Sequence, residues 1–90
     1  MSNVSAFLKG QIKSIQRGEI GIFNGVSATA TISAVNTSKA LLSTLGWVVT
    51  ANDATHVPRL TLTDSTTITA TRAANTTVTS VIAWQLVEYY

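Results

Sequence analysis

The run Thr66-Thr67-Ile68-Thr69-Ala70-Thr71-Arg72 alternates hydroxyl and apolar side chains with a period of two. That period is the mark of a strand with one face in a core and one in water. The pattern recurs in Ala28 to Ala34, in Val57 to Thr63 and, with apolar residues on both parities, in Ala40 to Thr50 and Thr77 to Tyr89. Turn residues separate the runs: Asn24-Gly25, Asn36-Thr37-Ser38-Lys39, Asp64-Ser65 and Ala73-Ala74-Asn75. Gly18 divides Ile12 to Arg17 from Glu19 to Asn24, Gly46 reads as a bulge, and Pro58 fits a strand start or a sheet edge. Together the runs predict an all-β fold, a compact antiparallel β-sandwich or barrel of about seven short strands.

A chain of 90 residues can build a single hydrophobic core. We expect one β domain over residues 11–90 preceded by a short N-terminal arm over residues 1–10. From the arm into the start of the domain, Val4, Phe7, Leu8, Ile12 and Ile15 stand at helical spacing, while Gly10 and the strand signals that follow favour an extended arm. Its large apolar groups, Phe7 and Leu8, are candidate contacts to a partner, since a terminal segment can order on binding.

Cysteine is absent, which removes disulfides and thiolate chemistry together. Charged residues make up 11% of the chain against 46% hydrophobic, so a monomer would cover its surface with hydroxyl, amide and apolar groups. Such a surface invites association, and a thin core without a disulfide or metal gains most from oligomerisation. We therefore expect a homo-oligomer, a trimer in the first instance. In the last strand Val78, Ile82, Trp84 and Leu86 share one face and Val81, Ala83, Val87 and Tyr89 the other; Trp84, Leu86, Tyr89 and Tyr90 are the candidate interface residues. In Ala40 to Thr50, strict alternation groups Leu41, Leu45, Trp47 and Val49 against Leu42 and Val48.

Other function classes find little support. The basic residues Lys9, Lys13, Arg17, Lys39, Arg59 and Arg72 are scattered, without the clustering and aromatic interleaving that nucleic acid requires. No apolar run is long enough for a membrane helix, and the start lacks the pattern of a signal peptide, so the chain is expected to be made and used without classical secretion. His56 is the sole histidine and reads as a solvated loop residue; Glu19, Asp53, Asp64 and Glu88 are too scattered to form a catalytic pair or a metal site. We expect no enzyme activity, no cofactor and no metal. The threonines at Thr29/Thr31, Thr61/Thr63 and Thr67/Thr69/Thr71 lack the fixed repeat of a solenoid and read as solvent-face strand residues.

The segments Ile12 to Gly18, Thr31-Ile32-Ser33-Ala34-Val35, Lys39-Ala40, Arg59 to Thr63, Ser65 to Ala70 and the ending Ala83-Trp84-Gln85-Leu86-Val87-Glu88-Tyr89, in this order and spacing, resemble a family of small virion proteins of tailed bacteriophages. The resemblance spans nearly the whole chain beyond the arm. It implies a structural component of the virion, assembled in the cytoplasm of the bacterial host, and it transfers no catalytic residue. A stand-alone β domain of this size would then be a capsid decoration (cement) protein that binds the major capsid protein, or else a tail-tip or tail-fibre module that binds a host receptor or glycan.

Overall fold

The computed structural model describes residues 12–50 and 54–90. Six strands follow one another: β1 (Ile12–Ile22), β2 (Gly25–Thr31), β3 (Ala40–Val49), β4 (Arg59–Asp64), β5 (Thr67–Thr76) and β6 (Ser80–Tyr89). They form two antiparallel sheets, β1-β6-β3 and β2-β5-β4, packed as a sandwich. The N-terminal arm, with Phe7 and Leu8, lies outside the described residues.

Each sheet buries one parity of its strands. Ile20 and Ile22 of β1, Ile82, Trp84 and Leu86 of β6 and Leu42 of β3 face Ile68 and Ala70 of β5, with Ala28 and Ala30 of β2 and Leu60 and Leu62 of β4 packed alongside. The second sheet mixes the small Ala28, Ala30 and Ala70 with Ile68, Leu60 and Leu62, and the alanines leave room for the large side chains of the first sheet, Trp84 among them.

Six strands replace the expected seven because Gly18 does not interrupt β1. It pairs with Trp84 and lies under the indole; a Cβ there would stand 2.7 Å from Trp84 Cζ2. The glycine marks a close approach within a strand and not a turn. Likewise Ala73 to Asn75 continue β5 to Thr76, and the chain turns at 77–79 instead. Asn24-Gly25 does turn the chain, with Gly25 at φ +103°, but the strands it joins belong to different sheets, so it makes a corner and not a hairpin. The expected strand over Ala28 to Ala34 ends at Thr31, after which Ile32 and Val35 donate their amides to Thr66 and Ser65 carbonyls across the β4–β5 turn.

The bulge at Gly46 is present, and it reverses the parity of β3. Before it Leu42 pairs with Leu86; after it Gly46 pairs with Ala83 and Val48 with Val81. Val48 therefore shares the outer face with Leu41, while Trp47 and Val49 register with Ile82 and Ser80; Trp47 nonetheless stays outside the core, more than half exposed. Strict alternation had grouped these residues the other way.

Polar clusters close both ends of the sandwich. At one end Gln16 receives the Ser33 amide (2.9 Å) and donates to the Ser33 carbonyl (3.1 Å), standing in for a missing strand rung. Beside it the buried Glu88 carboxylate accepts from the Asn36 amide (2.8 Å) and the Ser14 hydroxyl (3.2 Å), with the Lys13 ammonium 3.9 Å away. At the other end the Arg72 guanidinium, fully buried, donates through Nε to the carbonyls of Gly25 (3.0 Å) and Ala74 (3.1 Å), through Nη1 to Val78 O and Ser80 Oγ, and through Nη2 to Thr76 O (2.6 Å).

Candidate functional site

The outer faces of the two sheets are chemically unlike. That of β2-β5-β4 is a hydroxyl lattice whose cross-strand rows read Ser27, Thr71, Arg59; then Thr29, Thr69, Thr61; then Thr31, Thr67, Asp64. Thr63, at a bulge, joins it through a 2.5 Å contact between its hydroxyl and that of Thr69. These are β-favouring side chains that water solvates well.

The outer face of β1-β6-β3 carries the exposed apolar surface instead. Its first row is Ile15, Val87, Leu41, with Val87 buried between its two exposed neighbours; the second Arg17, Gln85, Ser43; the third Glu19, Ala83, Gly46; the fourth Gly21, Val81, Val48. Phe23 folds its ring over Gly21, filling the space where a side chain would stand and completing an apolar fourth row. Leu41 is 54% exposed, Phe23 63% and Val48 68%. Arg17 Nε donates to Gln85 Oε1 at 2.7 Å, which holds the guanidinium over the sheet. Glu19 is exposed and has no ion-pair partner among the described residues. Because Gly46 and Ala83 carry little or no side chain, the third row is a shallow depression walled by Glu19, Leu45, Trp47 and Val48.

The residues expected at an interface separate into distinct environments. Trp84 and Leu86 point into the core, 5% and 1% exposed, so their side chains offer no surface to a second chain: the parity that made them prominent in the sequence is the buried one. Tyr89 is half-buried and Tyr90 is 67% exposed at the end of β6. The exposed apolar residues of the outer β1-β6-β3 face are Ile15, Phe23, Leu41 and Val48; with β1 unbroken at Gly18, Ile15 falls opposite in parity to the buried Ile20 and Ile22.

His56 is buried and not solvated. Its Nε2 lies 3.1 Å from Thr76 Oγ1, its carbonyl accepts from Ser80 Oγ at 2.6 Å, and its Nδ1 is enclosed with no hydrogen-bond partner among the described residues. It serves the Arg72 end of the sandwich. Among the described residues no three His, Asp or Glu side chains converge as a metal site would require.

Compared with family models, with curated proteins and with solved structures, the chain matches none.

Proposed function

We propose that this chain is a non-enzymatic structural subunit that works by self-association within a larger assembly. The observation that carries the reading is the apolar outer face of β1-β6-β3 on a chain with only 11% charged residues. Exposed apolar rows that cross a whole sheet, here one at each end of the strands, are costly to leave in water and mark an interaction surface. The likeness of its sequence blocks to small virion proteins of tailed bacteriophages supports a reading of that assembly as a phage head, with this chain a capsid decoration protein that oligomerises on the shell and stabilises it.

A second reading is a tail-tip or tail-fibre module for a host-surface glycan or protein, favoured by the hydroxyl lattice of β2-β5-β4. Sedimentation of the purified chain from micromolar to about hundred-micromolar concentration tests self-association, the range following from a modest interface. A monomer throughout would overturn the proposal. Counting copies per particle by quantitative mass spectrometry of the virions then separates the two readings: hundreds support decoration of the head, a handful the tail.

A further inference from the structure

The four rows on the outer face of β1-β6-β3 run apolar, basic, acidic, apolar along the strands. That order is its own complement when reversed. Consider two copies laid face to face about a two-fold axis that runs across the strands, midway between the Arg17 row and the Glu19 row. The operation keeps each strand over its counterpart and reverses the order of rows, as an isologous interface requires. Ile15, Val87 and Leu41 then meet Phe23, Val81 and Val48 of the second copy. Arg17 meets Glu19 of the second copy twice, once on each side of the axis, and Gln85 and Ser43 enter the depression that Gly46 and Ala83 leave open.

We infer that this face pairs with a second copy of the chain in that two-fold register, an inference that rests on the self-association proposed above. Charge complementarity selects the register. Sliding one copy by a row along the strands sets Arg17 or Glu19 against an apolar row, and turning it about the sheet normal removes the strand-on-strand match; only the reversed register neutralises both charges while covering both apolar rows. Three strands by four rows span on the order of 15 by 25 Å at ordinary sheet spacings, about 400 Å² on each copy, which is below the standard size of a stable interface and fits a transient contact. A contact of that size is a weak one, in which two symmetric ion pairs weigh heavily. Strands of facing sheets cross at about 30°, which the twist of each sheet accommodates.

Charge reversal of the full chain tests the register. Arg17→Glu alone places acid against acid, and Glu19→Arg alone base against base; each is expected to raise the dissociation constant of a two-chain species about tenfold or more by sedimentation equilibrium. The double variant Arg17→Glu/Glu19→Arg restores opposite charges across the axis and is expected to return to within about threefold of the original chain. Both positions are solvent-exposed, and equal melting temperatures at dilution confirm that the singles fold. If the original chain self-associates but single reversal leaves its dissociation unchanged, or the double variant is as weak as the singles, or the species is a trimer, the two-fold register is overturned while self-association stands. If the original chain stays monomeric, both proposals fall.

Discussion

Arg72 has the largest fully buried side chain among the described residues, and it faces no carboxylate. Carbonyls from the start of β2, from the end of β5 and from Val78 after it take its place, so one side chain gathers a corner, a strand end and Ser80, whose hydroxyl continues to the His56 carbonyl. Removing it strands those acceptors in a buried site, and Arg72→Met is expected to destabilise the fold by about 3 kcal/mol, read as the shift of the urea midpoint. Arg72→Lys keeps the charge without the planar fork and should recover only part of the loss. Parity made this position legible, since residue 72 follows Ile68 and Ala70 on the core face, but a turn expected at Ala73 obscured it. Glu88 at the opposite end makes a pH prediction. The Asn36 amide first, then the Lys13 ammonium and the Ser14 hydroxyl, hold its carboxyl below the ordinary glutamate value of 4.5, against the opposing effect of burial. A carboxylate whose folded value lies below its unfolded one contributes stability above the unfolded value and loses it as pH falls through the folded value. Glu88→Gln should therefore melt below the original chain at about pH 7, and the gap should close below about pH 4.5.

Strands were readable wherever a period of two met an apolar core, and the errors cluster at glycine and alanine, which report on neighbours that lie far away in sequence. Gly18 looks like punctuation until Trp84, its cross-strand partner, is seen to occupy the space above it. Gly18→Val is expected to cost about 2 kcal/mol in urea unfolding, because the new methyls and the indole cannot share one site without moving the backbone. Gly46 was legible as a bulge but its consequence was not: one extra residue separates Val48 from Leu42 and sets it on the outer face with Leu41. Asn24-Gly25 was legible as a turn, and the choice between hairpin and corner depends on which sheet β2 joins, which the dipeptide does not encode.

The whole molecule is a sandwich with one hydroxyl face and one apolar face, and only the pairing of strands across each sheet reveals the division. Composition showed that too few charges were present to solvate every surface; it did not say where the apolar surplus would gather. Since β6 is the central strand of its sheet, its outward residues Val81 and Val87 are flanked on both sides, by Ile15 and Leu41 in one row and by Phe23 and Val48 in another. The threonines of the other face are spread as evenly, so a non-specific tendency to associate would treat the two faces alike. Lysine substitutions discriminate. The pair Leu41→Lys/Val48→Lys puts ammonium groups into both apolar rows and should raise the dissociation constant about tenfold or more, an effect of desolvating charge at a contact. The pair Thr29→Lys/Thr61→Lys adds the same charge to the hydroxyl face and should leave association unchanged within about twofold, an allowance for added net charge. Sedimentation of the two variants at equal ionic strength measures both. If the threonine pair dissociates the assembly and the leucine and valine pair does not, the contact lies on the hydroxyl lattice; if neither does, it lies on the exposed edges of β1 through β4, where unpaired backbone groups offer a different means of joining chains.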